Sequence, residues 1–150
     1  MSESAIRAKI KTILETASGI GRVYGYQRSI HHEKVVLSDL VSGGILNAWS
    51  ISRDSTEEIK VILGLGASLG QSLIYQYEIE GYYALKDSTN TEGTFSDTIA
   101  SIASVFRAKP NLDGVCFRHN YIRVQEISQA TLCDVLCHYT KLILEVEERT

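Results

Sequence analysis

The chain has 150 residues, a net charge of −3, 44% apolar and 22% charged side chains, and one proline against eleven glycines. That length fits one domain of common size, able to bury about 68–70% of the surface of its unfolded chain. The composition excludes a long disordered linker, and no apolar run approaches the ~18 residues that a membrane span requires.

Charge is unevenly spread. Residues 1–34 hold six Lys/Arg and three Asp/Glu, whereas residues 35–150 hold nine against fifteen. This is no nucleic-acid footprint, which calls for a basic domain or stripe. It suits a subunit that docks a basic end on an acidic neighbour. Residues 1–18 are polar and amphipathic and lack the apolar core of a signal peptide. Three cysteines, an odd number, point to free thiols in a reducing compartment.

Ile6, Ile10, Ile13, Leu14 and Ala17 fall at helical spacing and predict a first helix, capped by Ser2 or Ser4, with Gly19 as a left-handed residue at its end. Arg7, Lys9 and Lys11 occupy its other face. Residues 21–29, with Val23, Tyr24 and Tyr26, read as a strand. A polar patch, His31-His32-Glu33-Lys34, follows. Val35, Val36, Leu37 and Leu40 suggest a short helix ended by Gly43-Gly44. Residues 48–53 alternate strictly and predict a strand; residues 58–63 predict a weaker one.

The glycine-rich loop 64–70 leads into the clearest strand. Leu73, Tyr75, Tyr77, Ile79, Gly81, Tyr83 and Leu85 share one face, with Gln76, Glu78 and Glu80 on the other and Gly81 as a bulge. The tyrosines at 75, 77 and 83 are read as core. Thr91 or Thr94 then caps a helix bearing Phe95, Ile99, Ile102, Ala103 and Phe106, stopped by Pro110. Three strand-like runs close the chain, at 114–118, 121–127 and 132–147, with Asn120 as a tight hairpin between the first two. The predicted fold class is α+β: a mixed, mostly antiparallel sheet flanked by two to three helices in a single domain, 1–150.

The motifs that carry chemistry elsewhere stand in the wrong context here. Gly64, Gly66 and Gly70 follow a β-like run, but their spacing is not the dinucleotide fingerprint, and a strand rather than a phosphate-holding helix follows. Gly66-Ala67-Ser68-Leu69-Gly70 matches the nucleophile-elbow pattern with the same fault. Cys133, Cys137 and His138, with Cys116 and His119, lack paired ligand-turn spacing and read as core thiols. His31, His32 and Glu33 read as a solvated turn rather than an acid–base pair. Neither catalytic residue, cofactor nor metal is expected.

Four stretches carry a family resemblance: Ile6-Arg7 through Gly19-Ile20-Gly21-Arg22-Val23-Tyr24; Ile45-Leu46-Asn47-Ala48-Trp49-Ser50-Ile51-Ser52-Arg53; Glu80-Gly81-Tyr82-Tyr83-Ala84-Leu85-Lys86-Asp87 with a helix near Phe95; and Leu136-Cys137-His138-Tyr139 leading to Leu144-Glu145-Val146-Glu147-Glu148. In this order the chain resembles the tail-terminator or tail-completion proteins, small neck proteins of long-tailed phages. The 64–70 loop departs from that pattern, being glycine-rich where a polar, basic hairpin is expected.

The resemblance implies a non-enzymatic virion subunit, made in the host cytoplasm and located in the tail neck. It implies a homo-oligomeric ring, typically a hexamer, that caps the tail tube, halts its polymerisation and presents a surface to the head-side connector or stopper protein. Genomic DNA would pass through the lumen unbound, which suits a net acidic chain; no membrane is implied. Arg7 and Lys11 on the first helix, Gly64, Gly66 and Gly70 in the loop, and Glu78 and Glu80 on the long strand are the candidate interface residues. Two alternatives stand beside this: another neck or head-completion protein, and a small-molecule-binding or hydrolytic domain using the 64–70 loop.

Overall fold

The computed structural model describes residues 2–26, 40–62, 69–86, 88–132 and 134–149, and the backbone alone of 60–62 and 69. Helix α1 (Glu3–Glu15) forms on the stripe its sequence carries. The Ser2 side chain caps it by accepting from the Ala5 amide, Glu3 favours the positive end of its dipole, and Ile6, Ile10, Ile13 and Leu14 are buried. Gly19 takes the left-handed conformation (φ 82°) that lets the chain turn back along the sheet. The elements that follow are β1 (Arg22–Tyr24), β2 (Val41–Ser42), β3 (Ile45–Ile62), β4 (Leu69–Ala84), α2 (Thr91–Arg107), β5 (Arg118–Leu132) and β6 (Val135–Arg149).

The sheet runs β1-β3-β4-β6-β5, with β2 pairing with β3 off this path. β1 lies parallel to β3, and all other pairings are antiparallel. Both helices cover one face. There, Ile6, Ile10, Ile13 and Leu14 of α1 and Phe95, Ile99, Ile102 and Phe106 of α2 join Trp49, Ile51, Tyr75, Tyr77, Ile79, Leu142, Leu144 and Val146 in one core. Each such side chain contributes about 1.5–3 kcal/mol by leaving water. Tyr83 packs against this core, so the tyrosine face of β4 is the core face. Tyr82 points to the other face, into a smaller cluster with Leu40, Leu46, Ala48, Leu132 and Cys137.

Close backbone approaches organise the centre. Gly81 lies directly opposite Trp49 in the β3–β4 ladder, and a Cβ there would fall within 3.0 Å of three atoms of the indole ring. Gly81 is therefore a seat for Trp49 in a regular ladder, not the expected bulge. Trp49 stacks on Phe95 at 5.8 Å, and Phe95 also meets Tyr83 (6.2 Å) and His138 (5.7 Å), which fixes the first turns of α2 on the sheet. Asn47 completes the arrangement: it accepts from the Trp49 indole N–H at 2.9 Å and donates to the Gly19 carbonyl at 2.9 Å. A Cβ at Gly21 would collide with the Asn47 carbonyl oxygen.

Several expected boundaries change. The two strands expected at 48–53 and 58–63 are one, β3, interrupted by a register shift between Arg53 and Ser55 that leaves Asp54 over. Asn120 is not a hairpin but lies inside β5, which starts at Arg118; residues 110–117 are turn and bend. That turn is left-handed at Leu112, Asp113 and Gly114 (φ 52°, 57° and 87°). The closing hairpin falls instead between β5 and β6, where Leu132 pairs with Val135 and Asp134 is left-handed (φ 63°). Asn90, not Thr91 or Thr94, caps α2 by accepting from the Gly93 amide at 3.0 Å. Within the expected strand 21–29, β1 spans Arg22–Tyr24, and residues 27–29 lie outside the described residues. The short helix expected at 35–40 lies outside the described residues, Leu40 excepted. Among the described residues, no helix is long and apolar enough to cross a membrane.

Candidate interaction surface

The structure disperses the residues that the sequence singles out. Arg7 is tied to Glu3 at 2.8 Å, donates to the Gly25 carbonyl at 3.4 Å and rests over the Tyr77 ring at 5.9 Å. Tyr77 donates its hydroxyl hydrogen to the same Glu3 carboxylate at 3.1 Å. Burial and then the Glu3 charge push that phenol far above its ordinary pKa, so it stays a neutral donor. Arg7 thus belongs to the packing of α1 on the sheet. Lys11 forms an exposed pair with Glu15 at 3.1 Å, worth about 0.3–0.5 kcal/mol. Lys9 reaches Asp113 at 3.1 Å, so each basic residue of α1 has an acidic partner within the chain.

Glu78 and Glu80 lie on the face of β4 away from the helices, half-buried. Lys141 stands 4.0 Å from Glu78, and Tyr139 donates to Glu80 at 3.2 Å. Burial, followed by the Glu80 charge, raises the pKa of Tyr139 and of its neighbour Tyr82. Gly70 is not a loop residue: it pairs with Val61 inside the β3–β4 ladder. Gly64, Gly66 and Ser68, like His31, His32, Glu33 and Cys133, lie outside the described residues.

The histidines and thiols have separate structural partners. His138 Nε2 and the Thr91 hydroxyl lie 2.8 Å apart, joining β6 to the start of α2. His119 Nε2 faces two carbonyls, Phe106 at 3.0 Å and Lys109 at 2.9 Å, so that nitrogen carries the proton and closes the C-terminal end of α2. Cys137 is buried in the small cluster; Cys116 sits in the main core, where burial pushes its thiol up to about 11. Among the described residues, no three His, Cys, Asp or Glu side chains converge as a metal set.

Among the described residues, an ionic cluster that no sequence motif announces centres on Glu147. Glu147, 9% exposed, accepts from Arg118 (2.6 Å), Arg149 (2.9 Å) and Ser72 (2.9 Å), which ties β4, β5 and β6 together. Arg149 lies over the exposed Phe117 ring at 3.7 Å. Burial alone would raise the Glu147 pKa, but the three hydrogen bonds outweigh it and hold it below the usual value of 4.5. A depressed folded-state pKa gives stability that is complete above 4.5 and is lost as pH falls through the folded value. Glu147→Gln is therefore expected to cost about 1 kcal/mol near neutrality, discounted because the Arg118 side chain is 62% exposed. Urea unfolding at about pH 7 and about pH 3.5 checks this: the gap between wild type and variant should shrink on acidification. A gap that stays constant would show that the cluster is not linked to protonation.

Among the described residues, β5, the outermost strand on its side of the sheet, carries an exposed apolar row. Tyr121 is 63% exposed, Val124 43% and Ile127 58%, and Phe117 precedes the strand at 47%. β5 also carries two register shifts, between Asn120 and Arg123 and between Val124 and Glu126. Those irregularities break the strict alternation by which a strand face is recognised in a sequence. The row is hidden in the sequence for this reason; its trace there is the cluster of β-formers Tyr121, Ile122, Val124 and Ile127, broken by Arg123, Gln125 and Glu126. No protein-family model matches the chain, and no curated protein is significantly similar to it.

Proposed function

We propose that this chain is a structural, non-catalytic subunit that works by assembling with copies of itself, and that its setting is the neck of a long-tailed phage. The ring would cap the tail tube, stop its polymerisation and offer a docking surface to the head connector. One observation supports assembly above all: the exposed apolar row Tyr121, Val124 and Ile127 on an outermost strand. Exposed apolar side chains grouped on one strand are characteristic of protein contact sites, and an aromatic with arginines on the same strand is the composition of interface centres. The phage setting rests on the sequence resemblance alone.

The reading is tested by adding the purified chain to polymerising tail-tube subunits and imaging the products. Capped tubes of bounded length are expected. Tubes that grow to the same lengths with and without the chain, and carry no extra density at either end, would sink the neck role.

A further inference from the structure

The sheet ends in two unlike edges. On one side, β3 beyond Ser52 has a neighbour only along β4 among the described residues. Residues 53–59 of that edge are all exposed. The side chains of Glu57 and Glu58 make no hydrogen bond or ion pair among the described residues, and Ile59 beside them is 38% exposed. On the other side stands β5 with its apolar row. There the side chains of the exposed Arg123, and of Arg107 at the end of α2, likewise make no hydrogen bond or ion pair among the described residues. Arg107 follows Phe106, whose carbonyl holds His119 of β5, so both arginines belong to this end of the sheet.

Bulges are a device that keeps strand edges from adding further strands, because they interrupt the row of free backbone donors and acceptors. The two irregularities in β5 therefore direct any partner to the side chains rather than to the backbone. The surface that matches these side chains in sign and apolarity is the β3 edge of a second copy. We infer that the chain self-associates head to tail: Glu57, Glu58 and Ile59 of one copy dock on Arg107, Arg123 and the Tyr121–Val124–Ile127 row of the next. A contact between two different patches leaves one of each free on every pair, so it repeats around a ring or along a filament. This deepens the assembly reading above and rests on it.

Two variants test it. Glu57→Lys with Glu58→Lys makes both edges basic; Arg107→Glu with Arg123→Glu makes both acidic. All four positions are exposed, and circular dichroism verifies that each variant folds. In low salt, where screening is weak, sedimentation velocity should show at least roughly tenfold weaker self-association for each variant alone, since like charges face each other. An equimolar mixture should regain association, with the two variants alternating in native mass spectra, and a chain carrying all four changes should behave as wild type. A mixture no more associated than its components overturns the proposal. So do variants that associate as well as wild type, the result expected if β5 pairs with itself about a two-fold axis. The outcomes also separate the two readings. Mixed oligomers that fail to cap tubes leave the edge contact standing and remove the neck role; capping by wild type without association in the mixture does the reverse.

Discussion

Gly81→Ala is expected to destabilise the fold by about 3 kcal/mol, an unusually large loss for the addition of one methyl group. The new Cβ would sit within 3.0 Å of Cζ3, Cε3 and Cη2 of Trp49. The indole cannot step aside. Its N–H is held by Asn47 at 2.9 Å, and its face is stacked on Phe95. Relief would have to come from moving Trp49 off Phe95, which unseats the start of α2. Urea unfolding followed by tryptophan fluorescence reads this directly, as Trp49 is the only tryptophan. Trp49→Ala, which removes the only tryptophan and is therefore followed by circular dichroism, should cost about 3–5 kcal/mol through the cavity it leaves. The two changes should be strongly non-additive, because the alanine methyl partly fills that cavity. A Gly81→Ala variant as stable as wild type would contradict the packing described.

Asn47→Leu is expected to cost about 2–4 kcal/mol for a different reason. Asn47 is 8% exposed and serves two groups at once, the Trp49 N–H and the Gly19 carbonyl. Leucine keeps the volume and removes both partners, leaving a buried donor and a partly buried acceptor unpaired. Asn47→Asp is the informative companion. Ionised, it can still accept from the indole but can no longer donate to the Gly19 carbonyl, so its loss falls on the Gly19 turn; protonated at low pH, its O–H can donate to that carbonyl and the loss shrinks. Thermal unfolding of the three proteins orders them as wild type, Asn47→Asp, Asn47→Leu at low pH, where the aspartate is neutral. Equal stability of Asn47→Leu and wild type would show that the two hydrogen bonds contribute nothing.

Much of this core is legible in the sequence. The stripe from Ile6 to Leu14 and the one from Phe95 to Phe106 have the helical period, and each lands on the core as read. The period-two run of β4 places Tyr75, Tyr77 and Ile79 inside for the same reason. What sequence hides is the partner across the ladder. Gly81 reads as a bulge because nothing local shows that Trp49 lies opposite. Asn90, Thr91 and Thr94 can each cap a helix, and only the chain path decides among them. β3 reads as two strands because Asp54 is extruded and the exposed stretch that follows carries no alternation.

The candidate surface was less legible than the fold. Glu3, four residues before Arg7, is the one partner of that cation visible in the sequence; the Gly25 carbonyl and the Tyr77 ring that also seat it are distant in the chain. Asn120 resembles a turn residue, and that splits β5 in two and conceals its exposed row. The residues quoted for the resemblance — Gly19, Gly21, Asn47, Trp49, Gly81, Tyr83, Phe95 and His138 among them — converge around Trp49. They hold the fold together, while the proposed working surface lies at the two ends of the sheet.

Sedimentation equilibrium of the native chain over a wide concentration range decides whether those ends are covered by copies of the same chain. The expected result is an average mass that climbs with concentration from 16.6 kDa through multiples of it. A mass fixed at 16.6 kDa up to about 100 μM, where even a weak specific contact would be populated, contradicts assembly through these edges.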